Sequence, residues 1–273
     1  MQNILILILI TLLSAQEGES YNFVLKYNEG EKNKYSTDYL MLMAIPGMGD
    51  MQIGRSASTI EKYLGKTDGL TIIEENITNM VTTNKIGDNV SPNYDLNALM
   101  GVPYKVFIKD DGEIDHIETE QRHFEETLNA LKRDTGQQNY FYPFGKNANN
   151  ISIGDSWSEK IDSVVFYAGE GDLESLMFGE GVYTLNKVKT KKGRRIAYIN
   201  NVTQMRAELN LLQNGIFMEG TMSGEFKYSF RFDIDAGKVL LRKGSGKMDY
   251  EFQMEDKSFR SVINISEKTK KVK

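Results

Sequence analysis

The chain has 273 residues, 40% of them hydrophobic and 26% charged, with 13 methionines, two histidines, no cysteine and a formal net charge of −5. That length and apolar content suffice for a large hydrophobic core, so wholesale disorder is excluded. The missing cysteine removes disulfides, thiolate zinc sites, iron–sulfur clusters, cysteine nucleophiles and a lipidated N-terminal cysteine, and the mild negative charge speaks against a nucleic-acid partner.

Residues 4–13 are an apolar run interrupted only by Thr11, ending in Ser14-Ala15 and followed by the polar Gln16-Glu-Gly-Glu-Ser20. As a helix this run rises only ~15 Å, half of the ~30 Å hydrocarbon thickness, so the pattern predicts a signal peptide over 1–15 and not a membrane span. Because Gln16 follows the cut, a lipoprotein is excluded. Export without cysteine fits a bacterial envelope, with the mature chain periplasmic or extracellular.

The mature chain matches itself at an offset of 124 to 125 residues. Gly30-Glu31 aligns with Gly154-Asp155 and Gly69 with Gly193; Asn76-Ile-Thr-Asn-Met80 aligns with Asn201-Val-Thr-Gln-Met205; Phe107 to Ile114 aligns with Phe232 to Val239. Anchors in the same order over most of the chain predict two copies of one β unit, 21–118 and 145–256. Within the first copy, Tyr39 to Met51 crowds Met41, Met43, Met48 and Met51. Asp110-Asp-Gly112 reads as a hairpin turn, not as a calcium loop, because the ligand alternation and closing glutamate of such a loop are missing. His116 and His123 lack the spacing of a zinc motif and read as surface residues, so no metal or cofactor is expected.

Thr119 is a cap residue, and Phe124, Leu128 and Leu131 recur at helical spacing among charged residues, which predicts one amphipathic helix over 119–134 between the copies. In the second copy, Lys187, Lys189, Lys191, Lys192, Arg194 and Arg195 surround Gly193. The pattern fits a hairpin tip of solvated charge, or a patch for a phosphate-rich partner or anionic headgroups. From Met218 to Ile234, apolar residues and glycines alternate with polar ones, and Ile216 lies on the apolar parity. Met218, Met222, Phe226, Tyr228 and Phe230 share one parity, and after the Asp235-Ala-Gly237 turn Met248, Tyr250 and Phe252 continue that face. A straight strand of this length extends ~60 Å, and Gly220, Gly224, Gly244 and Gly246 lie on the apolar parity, where they permit bending. Residues 257–273 are read as a last strand and a basic tail, the tail frayed and solvated.

The expected architecture is therefore mainly β: two duplicated antiparallel units forming one or more strongly curved sheets or an incomplete barrel, with one amphipathic helix between the copies. At Gly154-Asp-Ser-Trp157, at Phe23-Val-Leu-Lys-Tyr27 before Gly30-Glu31, and at the Phe230 to Gly237 hairpin, the chain resembles a group of uncharacterised exported bacterial β-repeat proteins. Its architecture is similar to the half-barrels of periplasmic lipoprotein carriers and related lipid-binding proteins. The resemblance implies a lipid-binding curved sheet and supplies no catalytic residues.

The methionines are the main candidate feature. Thioethers accommodate variable apolar partners, so a face of Met41, Met43, Met218, Met222, Phe226, Tyr228, Phe230, Met248, Tyr250 and Phe252 suits a lipid or lipidated partner, while the same residues equally serve as core filling. The leading expectation is a non-enzymatic extracytoplasmic protein that holds or shields an apolar ligand, with peripheral membrane contact. The rival is an envelope structural or interaction module that uses strand edges or the basic hairpin. A hydrolase built on serine, carboxylate or tyrosine comes third.

Overall fold

The computed structural model describes residues 19–45, 49–87, 89–92, 100–109, 114–119, 144, 148–169, 174–213, 216–254 and 257–272. Period-two alternation produces twelve strands. They are β1 (Lys32–Ile45), β2 (Gly49–Thr67), β3 (Leu70–Ile86), β4 (Asn89–Pro92), β5 (Tyr104–Ile108), β6 (Ile114–Glu118), β7 (Ser156–Gly169), β8 (Glu174–Lys191), β9 (Arg194–Gln213), β10 (Ile216–Asp233), β11 (Lys238–Met254) and β12 (Lys257–Val272). The two-residue turns Asp68-Gly69 and Lys192-Gly193 hold equivalent places in the β2–β3 and β8–β9 hairpins. All four residues have positive φ (51° and 80°, 51° and 76°), the geometry that matches the twist of flanking strands.

All twelve strands belong to one open sheet. Each copy runs as a meander, and β12 joins them by pairing β11 on one side and β1 on the other. The chain's first and last strands thus lie side by side in the middle of the sheet. Pairing is antiparallel apart from a short parallel contact of Ala168-Gly169 with Leu211-Leu212 and an isolated Ile77–Met100 bridge.

This corrects the expected architecture in two respects. Of the curved sheet or sheets and the incomplete barrel expected, the structure holds one sheet that does not close, because β12 supplies an edge to both copies and merges them. The described secondary structure is all strand, with no helix; Thr119 is irregular, and residues 120–134, on which the rest of the expected helix falls, lie outside the described residues. So do the expected signal peptide, Met48, the Asp110 to Gly112 turn and His123. The lysine-rich end is a paired strand and not a frayed tail, since Lys268 to Val272 hold register with β1.

One end of the sheet carries a second layer. The extended segment 21–27 crosses it, tied by Tyr21 to Ile151, by the Phe23 N–H donating to the Ala148 carbonyl at 2.9 Å and by the Lys26 N–H donating to the Gly237 carbonyl at 3.1 Å. A Cβ at Gly237 would collide with the Lys26 backbone, so this crossing requires glycine there. Beneath the segment Phe23, Phe144, Trp157, Leu185, Ile199 and Phe232 are buried together, and the Trp157 indole donates to the Phe144 carbonyl at 2.8 Å. A second cluster, Ile73, Ile77, Met80, Tyr104, Val106 and Ile108, packs under Leu25 and Tyr27.

Candidate ligand-binding face

Strand register arranges the inward face as rows that cross the sheet. Met205, Gly224, Met248, Ile263, Met43 and Met51 form one row from β9 to β2. Phe226, Gly246, Ile265, Met41 and Ile53 form the next. The β12–β1 pairing therefore brings the methionines of the first copy beside those of the second. In this cluster Phe226, Met248 and Ile263 are buried, while Met41, Met43, Met205, Met222 and Ile265 pack around them and stay partly exposed.

The glycines on this parity seat aromatic rings. Phe226 lies across Gly246 and Tyr228 across Gly244, so that a Cβ on either glycine would fall within the ring. Bare backbone here lets a large ring lie flat on its neighbour strand, a packing role beyond the bending expected of these positions.

A polar belt bounds the methionine rows. Tyr228, Gly244, Glu267, Tyr39 and Arg55 are cross-strand neighbours, followed by Phe230, Arg242, Thr269, Thr37 and Ala57. Arg242 pairs with the buried Glu267 at 3.3 Å and sits 4.7 Å from the centre of the Tyr228 ring, and Arg55 lies 6.0 Å from that of Tyr39. Thr37 and Thr269 share a hydrogen bond at 3.1 Å. Burial pushes the Tyr228 hydroxyl up, against the pull of Arg242, and pushes Tyr183 up to about 12.

Beyond the belt lies a row of acids: Asn33, Glu61, Glu75 and Tyr104 are successive partners across β1, β2, β3 and β5. Burial raises both carboxyl groups, and Glu75 adds to the rise at Glu61, while Tyr104 donates to Glu75 at 2.5 Å and works in the opposite direction. Lys238 pairs with Glu31 at 3.1 Å and lies 4.4 Å from the centre of the Tyr27 ring.

The sequence-predicted face is divided by this geometry. Met41, Met43, Met222, Phe226 and Met248 belong to the methionine cluster, and Tyr228 touches both it and the packed end. Phe230 belongs to the packed end, 5.2 Å from the Phe144 ring. Tyr250 and Phe252 extend the face outward, the latter stacked on Phe259 at 5.0 Å. Met218 is placed on β10, and its side chain lies outside the described residues.

Sequence reasoning missed Met205, Arg55, Arg242 and Glu267. Their parity was the available signal: Arg242 alternates with Gly244, Gly246 and Met248, and Glu267 with Ile263 and Ile265.

In the basic hairpin, Lys187 reaches the Tyr198 ring at 5.1 Å, whereas Arg194 turns to Asp233 at 3.0 Å and Arg195 to Asp235 at 2.7 Å and Glu19 at 3.1 Å. Lys189, Lys191 and Lys192 are exposed. His116 stacks on Phe107 at 4.1 Å and contacts Asp115 and Glu118 at 2.7 and 3.4 Å.

No family model and no curated protein matches the sequence. Among solved structures, the chain is similar to the one described as "lipid-protein interactions in lipovitellin", with a TM-score of 0.51 and 12% identity over 91% of this chain and 26% of that one. OmpT, an outer membrane protein of Vibrio cholerae, aligns over 91% of this chain and 99% of its own, with a TM-score of 0.21 and 9% identity. The chain thus spans about a quarter of the lipovitellin chain whose fold it shares, and the likeness carries the fold alone.

Proposed function

We propose that the protein is an extracytoplasmic, non-enzymatic carrier or shield for an apolar ligand, a lipid or a lipidated partner, held on the methionine rows of the open sheet. The observation that carries this reading is the rim of partly exposed Met41, Met43, Met205 and Met222 around the buried Phe226, Met248 and Ile263. Flexible thioethers adapt to a chain of variable shape, and the adjoining Arg242–Glu267 and Arg55 belt gives an amphiphile's polar end hydrogen-bonding groups at the border of the apolar rows. The lipid–protein interactions for which the lipovitellin structure is described support the same class of ligand.

Native mass spectrometry and solvent extraction of the full chain purified from its host test this. Co-purifying lipid that is lost in a Met43→Asp, Met222→Asp variant is the expected result, and a lipid-free protein with unchanged folding sinks the reading. The rival reading, an interaction module, draws on the two open edges of the sheet, where β6 and β7 each keep one side without a full-length strand partner among the described residues.

A further inference from the structure

The opposite face of the sheet holds a feature that the apolar-ligand reading does not use. Two adjacent cross-strand rows there concentrate cations. In one, Lys187, Tyr198, Arg231, Leu241, Lys270 and Ser36 follow one another from β8 to β1. In the next, Lys243 is opposite Lys268, and Lys268 opposite Asp38. These cations are exposed. Two other lysines of this face are neutralised locally: Lys227 pairs with Glu225 at 2.9 Å and Lys247 with Asp249 at 3.5 Å. Lys243, Lys268 and Lys270 take part in no ion pair among the described residues, and Asp38, the carboxylate between them, accepts from Ser56 at 2.8 Å. Tyr198 is flanked by Lys187 at 5.1 Å and Arg231 at 5.7 Å. A chain of net charge −5 thus carries an uncompensated basic band.

Two further observations narrow the partner. The band crosses from β8 to β12, four strand spacings or ~19 Å, wider than any single phosphate. Aliphatic side chains that are otherwise unusual on a wet face flank it. Val182 and Val202 precede Lys227 in one row, Val81 follows Ser56 and Asp38 in another, and Leu42 and Val272 lie on the same parity; all five are exposed. Between band and aliphatics, Lys243, Lys268, Ser56, Ser266, Thr83 and Val81 bound a hollow of about 330 Å³. Cations with interspersed aliphatics fit an anionic bilayer, whose phosphates meet the lysines while its glycerol region meets the aliphatic groups. A nucleic acid asks instead for free aromatic faces, and Tyr198 is already occupied by two cations.

We infer that this second face docks the protein on an anionic phospholipid surface through Lys243, Lys268, Lys270, Arg231 and Lys187. The inference stands apart from the apolar-ligand reading, since it places the bilayer on one face and the bound chain on the other.

Co-sedimentation of the full-length protein with phosphatidylcholine vesicles, with and without phosphatidylglycerol, tests it. Binding is expected only to the anionic vesicles and falls as salt rises. A Lys243→Glu, Lys268→Glu variant weakens it at least about 25-fold, at roughly fivefold for each lysine lost, while Lys243→Arg, Lys268→Arg retains it. Circular dichroism confirms folding of each variant, and Lys243→Gln, Lys268→Gln replaces the reversal should that misfold. Unchanged binding by the reversed variant, equal binding to neutral vesicles, or preferential capture by single-stranded DNA would overturn the assignment. Loss of vesicle binding with co-purified lipid unchanged separates this face from the methionine face.

Discussion

The two ends of the sheet's inward face are built from the same alternation and end up in different states. At the packed end, the segment 21–27 and the residues Phe144, Ala148 and Ile151 lie over the strands, and Phe232, Leu185 and Ile199 are fully buried beneath them. At the methionine end, three residues are buried and the surrounding methionines keep part of their surface in solvent. An apolar parity specifies which face turns inward, but a second layer decides whether that face becomes core. Phe23, Phe144, Trp157, Phe230 and Phe232 gather where the layer is supplied, and Met41, Met43, Met205 and Met222 gather beyond it. Rings that must lock one geometry and thioethers that tolerate several are distributed accordingly.

The largest effect expected from this contrast is a difference in the cost of truncation. Phe232→Ala removes a fully buried ring in contact with Phe23 and Phe144, at 5.8 and 5.2 Å, and is expected to cost about 3 to 5 kcal/mol. Met222→Ala removes a side chain that still reaches solvent, and its cost is expected to stay below about 2 kcal/mol. Urea unfolding of the two variants measures both. Equal losses would show the methionine end to be packed as tightly as the other and would remove the contrast.

The local features of this fold were legible in the sequence, and the long-range joins were not. Gly69 and Gly193 stand out by their matched spacing because each two-residue turn needs positive φ, a requirement that a single residue type reveals. The Met222, Phe226 and Met248 parity is likewise local. The pairing of β12 with β1 leaves no such mark: Leu40 opposite Ser266 and Met41 opposite Ile265 are compatible with many partners, and the lysines at 268, 270 and 271 resemble a solvated end. One reading went wrong for that reason, the frayed tail, and whether the two copies share one sheet stayed open in the sequence. Arg242 and Glu267 were missed because a charged residue on an apolar parity looks like an interruption until its partner on the neighbouring strand is known. The acids behaved the same way, since Glu61 and Glu75 are fourteen positions apart in a hairpin and meet only through register.

That acid row provides a second, smaller test at the border of the packed end. Both carboxyl groups are raised by burial, Glu61 further by Glu75, with Lys238 and Lys271 pulling Glu61 down and the buried hydroxyls of Tyr27 and Tyr35 close by. Asn33 shares the row, and its buried amide oxygen has no donor among the described residues. A carboxyl group whose folded pKa exceeds its unfolded value contributes stability that is fully present below the unfolded pKa and is lost as the pH rises through the folded one. The wild-type protein is therefore expected to lose stability as the pH climbs from the ordinary glutamate range toward neutrality. Glu61→Gln, which keeps the shape and removes the charge, should flatten that slope and raise the melting temperature at neutral pH by a few degrees at most. Melting curves across pH check this, and a slope unchanged by the substitution would show that the row is ionised and compensated in the folded protein.

The gentlest probe bears directly on the methionine face. Peroxide oxidises a thioether according to its access to solvent, so Met41, Met43, Met205 and Met222 should convert to sulfoxide ahead of Met248 and Met80, which are 3% and 4% exposed. Peptide mass spectrometry over a time course reads the order with little change in global stability. The comparison becomes sharper when lipid is added. An occupied face should slow the four partly exposed methionines toward the rate of Met248 and leave Met100, an exposed residue outside the cluster, reacting as before. Slowing at Met100 as well would point to general scavenging by lipid. Unequal slowing within the four would locate the bound chain along the rows from β9 to β2.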